Sequence, residues 1–162
     1  MANYIDSFRS TILSYKQLAE KAMAQMEDQE LFWQPNEESN SVATIVKHMH
    51  GNMLSRWTDF LTTDGEKPWR QRDAEFENDW TSREPILKNW EEGWQCFLNA
   101  LGNITDNDLG KIVRIRNEEH SVLDAINRQM VHYAGHIGQI IYIAKMRRDS
   151  EWKSLSIPRK RK

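Results

Sequence analysis

Apolar residues recur at steps of three and four along four separate stretches of the chain, and this spacing constrains the fold more than any other feature. The first stretch begins with Ile5, Phe8 and Ile12. Such steps place side chains on one face of an α-helix. Only 7 Gly and 4 Pro occur in the 162 residues, so long helices can form. The sequence therefore predicts an all-α fold, and four helices of this kind predict a four-helix bundle.

Capping residues predict where these helices begin and end. Ser39-Asn40-Ser41 supplies an N-cap for the second helix, and Asp64-Gly65 is expected to end it, with the glycine in the left-handed conformation. Thr81-Ser82-Arg83-Glu84 is typical of a capping box at the start of the third helix. Ser121 predicts the start of the fourth helix. The first helix is expected to stop before Pro35.

Two connections are long enough to allow something other than simple up-and-down winding. Residues 66–80 carry many charges and no helical period. We expect an ordered excursion there, held by its aromatic residues Trp69, Phe76 and Trp80. From Leu109 to Arg116 the helical period gives way to alternation, with Val113 and Ile115 on one side. This alternation predicts a short extended segment or hairpin before the last helix.

Length and charge narrow the classes of protein that the chain can represent. A chain of 162 residues predicts one domain. With 22 basic and 24 acidic residues, the net charge of −2 favours neither nucleic acid nor an anionic membrane as a partner. One cysteine excludes an intramolecular disulfide and fits a reducing compartment. The N-terminus does not resemble a signal peptide, and no apolar run reaches about 20 residues, so a cytoplasmic protein is expected. The basic run Arg159-Lys160-Arg161-Lys162 is interpreted as a solvated tail.

His132 and His136 form the pattern that points most directly to chemistry. Residues four apart lie one turn apart on the same helical face, so both imidazoles can reach one ion. Tyr133 follows His132, so the glutamate that zinc proteases use as a general base is absent from this position. The alternative is two histidines that bond to core carbonyl groups or lie exposed on the helix.

A third histidine beside the pair would favour the metal-site interpretation. His48 and His50 lie two residues apart in the second helix, so only one of them can face the other helices. The stripe that contains Ile45 and Asn52 favours His48, and His50 is expected at the surface. A set of His48, His132 and His136 would leave coordination positions open, as in catalytic zinc sites.

These features together resemble the DinB/YfiT-like superfamily. The resemblance rests on Val46-Lys47-His48-Met49 and on the run from His132 to Gln139, and it covers nearly the whole chain. The segment Gly51–Lys67 and the terminal Ser154–Pro158 are similar to an uncharacterised bacterial branch of that superfamily.

The resemblance implies a four-helix bundle with unusual connectivity, commonly a homodimer. It also implies a site for a divalent metal, usually zinc or nickel, whose ligands map to His48, His132 and His136. Some members of the superfamily join a low-molecular-weight thiol, such as bacillithiol, mycothiol or glutathione, to an electrophile, and others are maleylpyruvate isomerases. The fold alone therefore does not fix the reaction.

Several polar residues near the histidines are candidates for contact with a substrate. Asn52 would hydrogen-bond substrate or orient a ligand, or it is a satisfied polar contact in the core. Arg56 and Arg128 would bind a carboxylate, or they pair with acidic residues such as Asp59. Gln139 is a candidate partner for the ring of His136. Cys96, which has no histidine near it in sequence, is interpreted as a packed thiol.

Two classes of function follow from these residues. The first is a metal-dependent enzyme, a thiol S-transferase or hydrolase, whose metal activates a thiol or water. The second is a non-catalytic, stress-associated dimeric bundle whose metal site is structural or vestigial. A nucleic-acid-binding module ranks below both, because no basic helical face is evident.

Overall fold

A computed structural model describes residues 3–158 of the chain, and most of these residues are helical. The four helices are α1 (Tyr4–Met23), α2 (Val42–Trp57), α3 (Arg83–Gly102) and α4 (Val122–Arg148). Short 3₁₀ segments cover Asp28–Phe32, Asp73–Phe76, Asp106–Asp108 and Asp149–Glu151. The prediction of a mostly helical chain is confirmed. The basic run of residues 159–162 lies outside the described residues.

A β-hairpin precedes α4, as the alternation predicted. Strand β1 (Ile112–Ile115) pairs antiparallel with strand β2 (Glu118–Ser121). Along β1 exposed and buried residues alternate, and Ile115 lies in the core. Arg116 and Asn117 form the turn, and both have positive φ, 57° and 64°. Two-residue hairpin turns favour positive φ because their twist then matches that of the strands.

The hairpin turn is fastened to the segment that follows α2. The carboxylate of Asp64 accepts the backbone N–H groups of Arg116 and Asn117 at 2.9 and 2.7 Å. The backbone N–H of Gly65 donates to the carbonyl oxygen of Arg114 at 2.8 Å. These bonds fix the hairpin turn beside the C-terminal end of α2.

Two predicted N-caps are confirmed, the third helix begins where expected but without its predicted capping box, and the predicted end of α2 is wrong. The hydroxyl groups of Ser41 and Ser121 accept N–H groups in the first turns of α2 and α4. The third helix begins after Ser82, whose side chain makes no capping bond, so the predicted capping box at Thr81 does not form. α2 ends at Trp57, well before Gly65.

The early end of α2 has a packing cause. Asp59, with φ of 49°, adopts the left-handed conformation that was expected of Gly65, whose own φ is not positive. The turn brings Phe60 back onto Trp57, with 4.5 Å between ring centroids, and buries both rings. Burial of the Phe60 side chain against Trp57 favours this turn over continuation of the helix.

The helices pack mainly as two pairs, α2 against α3 and α1 against α4, and α2 also contacts α4. Aromatic rings fill the space between them, among them Phe8, Trp57, Trp94, Phe97 and Tyr133. Gly93 allows a close approach of α3 to α2, because a Cβ there would lie 3.2 Å from the Cα of His50. Among residues 3–158, every helix is too short or too polar to cross a lipid bilayer.

The excursion between α2 and α3 is ordered, but its anchors differ from those expected. Trp69 is 54% exposed and so does not hold the segment in place. Phe76 stacks on the ring of His48, with 4.9 Å between centroids, and Trp80 packs against the core. The other anchors are charged: Arg70 and the buried Glu75 form an ion pair against α2.

Candidate metal centre

Three imidazole rings converge where α2 faces α4. His132 and His136 lie one turn apart on α4, and His48 reaches them from α2. The Nε2 atom of His132 is 3.2 Å from that of His48 and 3.0 Å from that of His136. The three nitrogen atoms lie within 4.8 Å of one another, so this cluster could hold a metal ion.

The two outer histidines are each oriented by an acceptor on the far side of the ring. Nδ1 of His48 donates to Oε2 of Glu75 at 2.9 Å, and Nδ1 of His136 donates to Oε1 of Gln139 at 2.8 Å. Histidine ligands of metals commonly donate their second N–H in this way, which fixes the tautomer and the ring plane. The sequence-based expectation for Gln139 is therefore matched by its position.

The three Nε2 atoms have too few protons to satisfy one another by hydrogen bonds, which favours a bound cation between them. If both Nδ1 atoms carry protons, the Nε2 atoms of His48 and His136 present lone pairs. Nε2 of His132 can donate only one proton, so it cannot satisfy both neighbours. Nitrogen atoms bound to a tetrahedral ion at about 2.0–2.1 Å lie about 3.3 Å apart, close to the 3.0 and 3.2 Å observed. The donor set therefore fits a divalent metal.

The protonation state of the rings also suits metal binding. Burial and the neighbouring rings of His136 and His48 lower the pKa of His132 to about 3. Burial likewise lowers the pKa of His136. Both rings are therefore neutral at pH 7, and a neutral imidazole is the form that binds a metal.

Glu75 is held in the ionised form that His48 needs. Burial opposes its ionisation, but hydrogen bonds from Arg70 and His48 lower its pKa below the usual value. Arg70 donates from Nε and Nη2 to the two carboxylate oxygens at 2.7 and 2.8 Å. Gly51 provides the space on α2, because a Cβ at that position would overlap Oε1 of Glu75.

A cavity of about 210 Å³ lies beside the cluster and contains the other predicted site residues. His48 and His132 line it together with Asn52, Arg56 and Arg128. Asn52 and Arg56 follow His48 at steps of four on α2, and Arg128 precedes His132 by four on α4, so each set shares a helical face.

Asn52 makes the polar core contact that was one of its two predicted alternatives. Its Oδ1 accepts the hydroxyl of Tyr133 at 3.1 Å, and that hydroxyl accepts Nε1–H of Trp57 at 2.9 Å. The three side chains form a buried polar chain across the core. Asn52 also borders the cavity, so its amide can contact a bound molecule.

The remaining candidates lie elsewhere. His50 is half-buried near Glu92, at 3.3 Å, and is not the surface residue that was expected. This difference arises because α3 packs over that side of α2. Burial raises the pKa of the Cys96 thiol, as expected of a packed cysteine.

Glu75 and Arg70 are the site residues that the sequence analysis missed. A carboxylate behind a histidine ligand is a general expectation. The chain contains 24 acidic residues, however, and residues 66–80 have no period from which to choose one.

The chain was also compared with known proteins. No curated protein and no solved structure matches it. A family model described as "Protein of unknown function (DUF1572)" matches residues 1–161. Because this match covers nearly the whole chain, the chain belongs to the DUF1572 family.

Proposed function

We propose that the chain is a divalent-metal-dependent enzyme, a thiol S-transferase or hydrolase, with His48, His132 and His136 as ligands of Zn²⁺ or Ni²⁺. The observation that carries the proposal is the convergence of three Nε2 atoms, two of them on rings fixed by Glu75 and Gln139. No fourth histidine, cysteine or carboxylate among residues 3–158 joins the cluster. Coordination positions therefore remain for a substrate thiol or water.

The chemistry follows from the charge of the ligands. A divalent ion bound by neutral imidazoles keeps its full charge and lowers the pKa of a bound thiol or water. The residues of the chain would position the reactants: Asn52 offers an amide to the bound molecule, and Arg128 offers a guanidinium at the rim of the cavity. The ring of Phe76, which is only partly buried, stacks on His48 and shields that side of the imidazole from water.

We also propose that the helices form a DinB/YfiT-like bundle that assembles as a cytoplasmic homodimer. Histidine ligands on the second and fourth helices support the relationship, since the resemblance implied this arrangement. Sedimentation of the purified protein tests the assembly state, and a monomer at all concentrations would contradict the dimer.

The metal site is tested by elemental analysis of protein purified without an affinity tag. We expect about one zinc or nickel ion per chain in the parent, and loss of the metal in His48→Ala, His132→Ala and His136→Ala. His120→Ala is the matched control, because this histidine lies in β2, outside the cluster. Metal retained in the three variants, or lost equally in the control, would overturn the site.

Activity is tested separately with a panel of thiols that includes bacillithiol and a chromogenic electrophile. The expected result is turnover by the metal-loaded parent and none by His132→Ala. Full turnover by His132→Ala would remove the proposed role of the cluster.

A structural metal is the second candidate, and one observation favours it. No carboxylate among residues 3–158 lines the cavity, so no acidic side chain there is free to act as a general base. A structural metal contributes directly to folding. A large fall in melting temperature with chelator, combined with no turnover of any thiol, would favour this candidate.

A further inference from the structure

The cavity beside the histidine cluster is strongly cationic. Five arginines line it: Arg56, Arg70, Arg72, Arg116 and Arg128. They come from α2, the excursion, the hairpin turn and α4, so four parts of the fold bring positive charge to one place. No aspartate or glutamate among residues 3–158 lines the same cavity.

Arg56 is the most unusual of the five. It is only 3% exposed, yet Nε and Nη1 are buried without a hydrogen-bond partner in the described chain. The predicted pair with Asp59 does not form, and burial lowers the pKa of the guanidinium. A buried charge without a partner is strongly unfavourable. Arg56 also lines the cavity, so an anion bound there would compensate its charge.

The backbone is arranged to accommodate this guanidinium. A Cβ at position 65 would lie 2.8 Å from Nη1 and 2.9 Å from Cδ of Arg56. Gly65 is therefore required for space next to Arg56 and not for its backbone conformation, since its φ is not positive.

The other arginines differ in how far acidic residues neutralise them. Glu75 binds Arg70 through two hydrogen bonds, and Glu66 pairs with Arg116 at 3.1 Å. Arg128 joins no ion pair within residues 3–158, and its charge repels that of Arg56. The uncompensated positive charge is thus concentrated between α2 and α4, next to His132.

We infer that this cavity binds the anionic group of a substrate, a carboxylate or a phosphate, with Arg56 and Arg128 as its main partners. Both anions accept paired hydrogen bonds from guanidinium groups. Ligand pockets for larger molecules are typically about 300–1,000 Å³, so about 210 Å³ suits a small anion or the anionic end of a longer molecule. The inference that this anion belongs to a substrate rests on the proposed function. The bound anionic group would hold the reactive end of the substrate beside His48 and His132.

Anion binding is measured on EDTA-treated protein, so that no metal contributes to it. Inorganic phosphate and malonate are titrated separately by calorimetry and by thermal melting, with sodium chloride at equal ionic strength as the reference. We expect one of these anions to bind and to raise the melting temperature, because a ligand that binds only the folded state stabilises it. Preference for phosphate indicates a phosphorylated substrate, and preference for malonate indicates a carboxylate.

Variants locate the binding. Arg56→Met and Arg128→Gln are each expected to weaken anion binding by about tenfold or more, because each variant loses a charge-assisted hydrogen bond to the anion. Arg114→Gln is the matched control, because its exposed side chain pairs with Glu119 outside the cavity. Without anion, Arg56→Met is expected to melt no lower than the parent. If that variant folds poorly, Arg128→Gln, which changes an exposed residue, decides the question.

The outcomes separate this inference from the proposed function. His136→Ala should lose the metal and keep anion binding, because His136 does not line the cavity. Failure of the metal site would therefore leave anion binding intact. No binding of either anion above the chloride reference would overturn the inference. An equal loss in Arg114→Gln and Arg56→Met would overturn it as well, because binding would then reflect general surface charge.

Discussion

The two outer histidines of the cluster are supported in different ways. Behind His48 stands a buried, ionised carboxylate, Glu75, which Arg70 holds in turn. Behind His136 stands a neutral amide, Gln139, on the same helix and near its surface. The first support joins two segments of the fold, α2 and the excursion that follows it, and the second needs only the three-residue spacing within α4.

This difference indicates how the cluster is stabilised. A carboxylate raises the basicity of the imidazole that donates to it more than an amide does, so His48 should be the stronger metal ligand. Its support depends on burial, on the guanidinium of Arg70 and on the space at Gly51. The support of His136 is local and can change without disturbing the core.

Replacement of the carboxylate is expected to have the largest effect. In Glu75→Gln, metal affinity should fall about 10–100-fold, because His48 loses its charged partner. The free energy of unfolding should fall by about 2–3 kcal/mol, because Arg70 becomes a buried cation without its main partner. Competition with a chromophoric chelator and urea denaturation measure the two effects. Glu119→Gln, at an exposed ion pair, is the control; equal affinities in both variants would contradict the ranking of the supports.

Removal of the space behind the carboxylate is expected to weaken the same support without changing its chemistry. Gly51→Ala places a methyl group where Oε1 of Glu75 lies. We expect a fall in metal affinity of about tenfold. Alanine favours a helix by about 1 kcal/mol relative to glycine. This gain offsets the cost of displacing Glu75, so the free energy of unfolding should change little. The same competition assay applies, with Gly135→Ala, where a Cβ would meet open space, as the control. A lower affinity in the control than in Gly51→Ala would argue against the role of Gly51.

Within residues 3–158, Nδ1 of the central histidine, His132, makes no hydrogen bond comparable to those of His48 and His136. The pH dependence of stability tests the state of this ring. In metal-free protein the pKa of His132 is about 3, below the value of about 6.5 in an unfolded chain. The unfolded state therefore binds more protons between these values, and stability falls as the pH decreases from about 6.5 towards 3. The slope from this residue is at most about 1.4 kcal/mol per pH unit. Urea melts across this range should show a shallower slope in His132→Asn than in the parent, and equal slopes would contradict this prediction.

The smallest effects are expected at the neutral support. Gln139→Ala should lower metal affinity only a few-fold, because a single hydrogen bond near the surface is lost. Gln139→Glu should instead raise affinity, since it places a carboxylate behind His136 and makes the two supports alike. If Gln139→Ala weakens binding as much as Glu75→Gln, burial and charge do not distinguish the supports.

The same contrast explains how much of the candidate site the sequence could predict. His132, His136 and Gln139 lie on one helix, where spacing fixes their relative positions. His48 could be chosen over His50 because α2 has one face towards α4. Glu75 lies in a segment without a period, and its position depends on the ion pair with Arg70 and on tertiary packing.

Helix boundaries are likewise predictable from the sequence only where local contacts determine them. Ser41 and Ser121 cap their helices through local bonds, so the sequence predicts them. The end of α2 depends on the packing of Phe60 against Trp57, which no local pattern encodes. The local sequence therefore predicts a conformational role for Gly65, whereas in the structure its role is steric, next to Arg56.

The hydrogen bonds between Asp64 and the backbone of the hairpin turn affect which residues of the cavity can change between related proteins. Arg116 lines the cavity from this turn, while the histidines lie on helices that the turn does not interrupt. The backbone of the turn is held by bonds to Asp64 that do not depend on the side chains at positions 116 and 117. The side chain at position 116 can therefore vary among residues that tolerate a positive φ, and with it the molecules admitted to the cavity, while the three imidazoles keep their places.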